Sequence, residues 1–154
     1  MTPEVRRAET DAEREDALRV RREVFVEEQG VPEELEVDGR DDEAIHFVGY
    51  ADDRADASGE DSRVPVAAGR LRAVDDGVGK VERIAVVESR RGEGWGRATM
   101  DELEATAEAR GFSTLVMHAQ TPVEGFYREL GYETTSDVFE EAGIPHVEME
   151  KSLS

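Results

Sequence analysis

The sequence predicts one mixed α/β domain over residues 1–154. It should have a mostly antiparallel sheet of about six to seven strands and about four helices, with a strand, a glycine-rich turn and a helix at its centre. Three observations carry this. Val81, Arg83, Ala85 and Val87 alternate with Glu82, Ile84 and Val86, as in a strand. Arg90-Arg91-Gly92-Glu93-Gly94-Trp95-Gly96-Arg97 places glycine at every second position. Met100, Leu103 and Ala107 then fall at helical spacing before Gly111 closes the element.

The elements follow in order. Val5 to Glu9 suits a short first strand. Thr10-Asp11-Ala12-Glu13 is a capping box, so a helix starts near Asp11. Ala17, Val20, Val24 and Phe25 continue it to about Glu28, and Gly30 and Pro32 end it. Glu36 to Asp42 is an acidic turn, and Ile45 to Tyr50 a strand. Residues 51–63, almost without apolar side chains, read as a hairpin loop. Val64 to Val74 and Val78 to Val87 are strands joined by Asp75-Asp76-Gly77, completing a three-strand antiparallel meander. The central helix runs roughly from Gly94 to Arg110. Ser113 to Ala119 is a strand with Leu115, Met117 and Ala119 on one face and Val116, His118 and Gln120 on the other. Thr121-Pro122-Val123-Glu124 has the form of a second capping box with proline at the first helical position. It opens a short helix that buries Val123, Phe126, Tyr127 and Leu130 and stops at Gly131. Tyr132 to Val138 and Val147 to Met149 are closing strands.

The glycine turn is where the sequence suggests chemistry. Three glycines leave main-chain N–H groups open to close approach. No Ser, Thr, Asp or Asn stands at residues 92–96 to cap the helix, so its first amides and its dipole can face an anion. Residues 82–97 hold Arg83, Arg90, Arg91 and Arg97 against Glu82, Glu88 and Glu93, a local excess of positive charge in an acidic chain. Neither the Walker pattern nor the dinucleotide pattern fits the glycine spacing. Arg91-Gly92-Glu93-Gly94-Trp95-Gly96 instead resembles the pyrophosphate loop of the GNAT superfamily of acyl-CoA N-acyltransferases.

The second half adds to this resemblance. Gln120, Val123, Phe126 and Tyr127 occupy the places of the superfamily's N-x-x-A-x-x-F-Y pattern. Arg22 to Gln29 with Val31-Pro32, then Asp38, Asp42 and His46, His118-Ala119-Gln120, and Gly143-Ile144-Pro145-His146 are similar to the ElaA-like branch. The resemblance implies acetyl (acyl) transfer from acetyl-CoA as co-substrate to a primary amine, by direct attack in a ternary complex. The cofactor-binding set would be Ile84, Ala85 and Val86, whose strand edge can pair with pantetheine amides, then Arg91, Gly92, Glu93, Gly94, Trp95, Gly96 and Arg97 for the diphosphate, with Gln120 and Phe126. The candidate catalytic residues are Tyr127, as the acid toward the leaving thiolate, and Glu82, as the base. Glu28, Gln29, His46, His118 and His146 are candidates for the acceptor site, and either His118 or His146 could serve as base. Two alternatives stand beside this: a non-catalytic acyl-CoA-binding module, and an acyltransferase fed by acyl carrier protein.

Composition narrows the partners. The chain has no cysteine, which removes disulfides and thiolate chemistry, and its three histidines lack metal-ligand spacing, so no metal is expected. No leader or apolar run long enough to span a bilayer is visible, so a cytoplasmic protein without membrane contact is expected. The formal net charge is -19, and lysine occurs only at positions 80 and 151. Such charge disfavours nucleic acid, whose phosphates need cationic partners, and resembles the acidic surfaces of halophile proteins. The acceptor is expected to be a small-molecule or protein amine. The oligomeric state is left open, a homodimer among the options. At molar salt the Debye length is about 3 Å, which screens the self-repulsion. The expected outcome is a melting temperature that rises from dilute buffer to molar KCl; equal melting temperatures would remove the halophile reading.

Overall fold

The structure, a computed structural model, describes residues 3–52 and 63–153. The elements are β1 (Glu4–Arg7), α1 (Asp11–Arg21), a π-helical continuation (Arg22–Glu28), α2 (Glu33–Glu36), β2 (Ile45–Asp52), β3 (Arg63–Asp75), β4 (Val78–Val86), α3 (Trp95–Ala109), β5 (Thr114–Gln120), α4 (Glu124–Glu129), β6 (Glu133–Thr134), β7 (Phe139–Glu141) and β8 (Ile144–Ser152). The expected loop over residues 51–63 falls almost wholly outside the described residues.

The chain forms two compact units: residues 1–70 with 83–103, and residues 71–82 with 104–154. β3, β4 and α3 each contribute to both. In the first unit the hydrogen-bonded order is β1-β2-β3-β4, with β1 antiparallel to β2 from Glu4↔Tyr50 to Arg7↔Phe47. In the second it is β3-β4-β5-β8-β6, with β7 also on β8. There β4 and β5 are parallel from Val78↔Thr114 to Val81↔Met117, and β5 and β8 antiparallel from Thr114↔Ser152 to Gln120↔His146.

The first unit starts as its capping box dictates. Thr10 Oγ1 accepts from the Glu13 amide at 3.1 Å, and Glu13 returns the bond to the Thr10 amide at 3.2 Å. Ala17, Val20 and Val24 of the helix bury with Val48, Ala67, Ala85 and Trp95 into one core. Gly49 makes room for this packing: a Cβ there would lie 3.0 Å from Ala67 Cβ and 3.1 Å from the Trp95 ring. Past Arg21 the helix widens, so that the Gln29 amide bonds Val24 O at 3.1 Å, five residues back.

A buried charge cluster ties the first unit together. Arg21 donates to Asp41 at 2.8 Å and to Glu36 at 3.2 Å, and Arg70 donates to Asp38 at 2.8 Å and to Asp41 at 2.9 Å. Arg83 pairs with Glu36 at 2.6 Å and bonds Glu36 O at 3.0 Å and Leu35 O at 3.2 Å. Both Arg21 and Arg70 are fully buried. Three arginines from α1, β3 and β4 thus hold three carboxylates of residues 36–41. Arg83 does so from a left-handed backbone, φ 59°, inside a strand. This breaks the regular alternation expected of Val81 to Val87: Val81, Ala85 and Val87 are buried, while Arg83 reaches out to the acidic segment. Asp41, rather than the exposed Asp42, is the participating residue.

In the second unit Leu115, Met117 and Ala119 are buried, as their spacing predicts. Glu104 accepts from Tyr132 Oη and Lys151 Nζ, each at 2.8 Å, and Lys151 also caps Leu130 O at 2.6 Å. Two expectations fail here. The Thr121 capping box does not form, because Thr121–Val123 winds as a tight 3₁₀ turn around Pro122 and α4 starts after Val123 without a side-chain cap. Val123 is therefore exposed rather than buried. The closing region holds three strands, because Ala142 (φ 54°) and Gly143 (φ 75°) turn β7 into β8; the expected Tyr132–Val138 strand shrinks to β6.

His46 lies on β2 with Nε2 donating to Asp41 O at 2.9 Å and Nδ1 buried without a partner among the described residues. Burial lowers its pKa from the ordinary value. A depressed native value means that the stability is present above about pH 6.5 and is lost as pH falls through the native value. Thermal melts between pH 8 and pH 5 should therefore show a falling melting temperature that His46→Gln flattens; parallel curves for the two proteins would contradict this.

Candidate active site

The turn before α3 takes the conformation its glycines permit. Gly92 (φ 83°) and Gly94 (φ 93°) are left-handed. A Cβ on Gly92 would meet nothing within 4 Å, so this backbone is open. Gly94 O accepts from the Ala98 amide at 3.0 Å, which makes Gly94 the cap of the helix. The amides of Trp95, Gly96 and Arg97 in its first turn have no acceptor within the helix. A 15-residue helix thus presents the positive end of its dipole at a bare glycine turn.

The arginines of this segment are less free than the sequence suggests. Arg91 forms a bidentate pair with Glu28, 2.7 Å on each arm, and its Nε donates to Val86 O at 2.9 Å. Glu28 comes from the widened end of the first helix, and its carboxyl pKa is lowered chiefly by this hydrogen bonding. Arg90 pairs with Glu93 at 3.5 Å, and Arg83 belongs to the buried cluster. Arg97 is exposed and has no carboxylate partner among the described residues. Glu93 does not face an incoming anion freely, since it also accepts from Trp95 Nε1 at 3.0 Å. The Trp95 side chain is core, so only its main chain remains for a ligand. What this segment offers an anion is therefore main-chain amides and a helix dipole, with Arg97 the arginine not held by a carboxylate among the described residues.

The proton-handling candidates lie in the second unit. Tyr127 of α4 is buried, edge-on to Phe126 at 5.0 Å and to Tyr132 at 6.0 Å. Burial pushes its phenol well above the ordinary value, so it keeps its proton. Glu82, the expected base, is not a free carboxylate. Arg72 Nε donates to it at 3.0 Å, Lys80 Nζ stands at 3.7 Å, and its side chain is 8% exposed. Its proton affinity would have to overcome two cations.

The family model for the acetyltransferase (GNAT) domain matches residues 9–153. The chain belongs to the GNAT acetyltransferases. An uncharacterised N-acetyltransferase, YjcF of Bacillus subtilis, is 42% identical over 145 residues, covering 94% of this chain and 96% of its own. ElaA of Escherichia coli is 30% identical over 141 residues, 88% and 85% of the two chains. The ElaA crystal structure superposes with TM-score 0.80 at 26% identity, covering 97% of this chain and 99% of that one. An aminoglycoside 6'-N-acetyltransferase solved with coenzyme A shares the fold at TM-score 0.71 and 16% identity, over 100% of this chain and 98% of that one. GNAT domains bind acyl-CoA, and the family reaction is acyl transfer from it to an amine.

The remaining GNAT candidates separate into three groups. His46 is corrected: it is 3% exposed and bonded to Asp41 O, so burial removes it from any acceptor site. Arg91 holds both oxygens of Glu28, and Gln29 caps the end of the same helix. Gln120, His118 and His146 are brought together, with Gln120 opposite His146 across the β5–β8 ladder. The residues that join them, Phe139 and Glu141, carry no signal in the sequence, since acids are everywhere and Phe139 lies outside the expected strands. An exposed bidentate pair is worth up to about 1 kcal/mol, and in Glu28→Gln Arg91 is released. Titration calorimetry should find coenzyme A binding about two- to fivefold tighter in Glu28→Gln than in wild type. Weaker binding would mean that the pair builds the site rather than competing for Arg91.

Proposed function

We propose that this acetyltransferase moves an acetyl group from acetyl-CoA to a primary amine by direct attack, without an acyl-enzyme. The observation that carries the reading is the helix start behind Gly92 and Gly94, two left-handed glycines, with nothing within 4 Å of a Cβ placed on Gly92 and the helix's first N–H groups at its positive dipole end. A diphosphate is the ligand with the charge and acceptor geometry for it. The free edge at Ile84, Ala85 and Val86 would take the pantetheine amides as an added strand does, once Arg91 leaves Val86 O.

Tyr127 then acts on the departing sulfur. A phenol whose ordinary value is about 10 is already a weaker acid than a thiol near 8.5, and burial widens the gap. Full donation in advance is uphill, so Tyr127 donates a hydrogen bond to the developing thiolate and completes the transfer only as the amine loses its own proton. The acidic composition, net charge -19, supports a working environment rich in salt, inside the cell. Coupled thiol-release assays with an amine panel in molar KCl test the reading. Wild type should release thiol only when acetyl-CoA and amine are both present, and Tyr127→Phe should lower kcat about 10- to 100-fold with the acetyl-CoA Kd unchanged. Full turnover by Tyr127→Phe would refute its role, and failure to bind acetyl-CoA would refute the whole reading.

A further inference from the structure

The second unit contains a polar cluster that the residues so far do not use. His146 of β8 is nine-tenths buried, its side chain 9% exposed. Its Nδ1 donates to Ile144 O at 2.6 Å, which puts the lone pair of the neutral ring on Nε2. Nε2 has no hydrogen-bond partner among the described residues; the nearest acid, Glu141 Oε2, stands 3.9 Å away. The other oxygen of Glu141 accepts from His118 Nδ1 at 2.9 Å. The Phe139 ring serves both imidazoles, edge-on to His118 at 5.1 Å and stacked on His146 at 6.1 Å. Glu148, whose Oε1 accepts from Thr135 Oγ1 at 2.9 Å, holds Oε2 3.9 Å from His118 Nε2.

A lone pair turned toward a carboxylate is an arrangement that a proton improves. Protonated at Nε2, His146 would gain an ion pair with Glu141 in a partly desolvated place. The register sets Gln120 opposite His146 and His118 opposite Glu148, so these side chains share one sheet face. That face ends where Gln120 leads into the turn toward Tyr127. The groups facing His146 are Glu141 from β7, and His118 and the uncharged Gln120 from β5. The turn Thr121–Val123 brings no titratable side chain, and Glu148 lies two residues along its own strand.

Resting on the transferase reading, we infer that this face is the acceptor site for a cationic alkylamine and that His146 is its proton acceptor, in place of Glu82. Glu141 and Glu148 draw in the ammonium. His146 Nε2 takes one proton from it, Glu141 holds the resulting imidazolium, and His118 fixes Glu141 from the other side as a positioning residue. The freed amine attacks the acetyl carbonyl. The C–N bond forms and the C–S bond breaks; the sulfur takes the Tyr127 proton, and the second amine proton restores Tyr127. One proton ends on the coenzyme A thiol and one passes from His146 to solvent.

The test measures kcat/KM against pH with n-butylamine as probe acceptor, together with acetyl-CoA Kd, for wild type, His146→Gln and Glu141→Gln in molar KCl. His146→Gln should lose about 10²- to 10⁴-fold in kcat/KM along with the acid limb of the profile, at unchanged Kd. Glu141→Gln, an exposed position that keeps the fold, should lower kcat/KM about tenfold at unchanged acetyl-CoA Kd, because the imidazolium has lost its carboxylate. His146→Gln within threefold of wild type, or Glu141→Gln at wild-type kcat/KM, overturns the proposal and leaves the transferase reading standing. A wild type that binds acetyl-CoA yet acetylates no amine overturns both.

Discussion

The left-handed backbone at Arg83 is the constraint from which the first unit is built. A non-glycine residue in that region costs on the order of 1–2 kcal/mol and persists only where its surroundings dictate it. Here they do, because the guanidinium is gripped by Glu36, by two carbonyls of α2 and by Asp38. The same carboxylates hold Arg21 and Arg70, so the break in β4, the first helix and the acidic segment 36–41 stand or fall together. Such clusters add little net stability over an apolar core, yet losing one member strands a buried charge at about 3–5 kcal/mol. Within the first unit, Ile84 to Val86 run from the break at Arg83 on to the glycine turn.

Charge is otherwise used sparingly where catalysis is expected. In a chain with twice as many acids as bases, three of the four arginines around the glycine turn are already held by carboxylates. What remains to attract a diphosphate is a helix dipole, which salt screens, and main-chain hydrogen bonding, which does not depend on net charge. The Arg91–Glu28 pair adds competition: ligand and carboxylate seek the same guanidinium.

Much of this was legible in the sequence because it is local. The Thr10 capping box, the alternation of Leu115, Met117 and Ala119, and the glycine spacing at 92–96 are short-range patterns with one physical solution each. The hidden features are long-range or break a local rule. Nothing in Val81 to Val87 announces a left-handed arginine, and Thr121-Pro122-Val123-Glu124 has the letters of a cap that proline diverts into a 3₁₀ turn. The Ala142-Gly143 hairpin lacks the usual asparagine. Glu141 is one acid among 38, and only its place between two imidazoles distinguishes it. At Gly92 and Gly94 the main chain takes the left-handed conformation that the glycine spacing allows. At Glu28, His46 and Glu82 a distant partner holds the side chain, which no local pattern announces.

The central claim is that bare amides at the start of α3 hold the carrier's diphosphate. A crystal structure with coenzyme A bound tests it most directly. The account predicts diphosphate oxygens within hydrogen-bond distance of the amides between Gly92 and Arg97, with Arg91 drawn off Glu28. A diphosphate bound anywhere else on the molecule would contradict it.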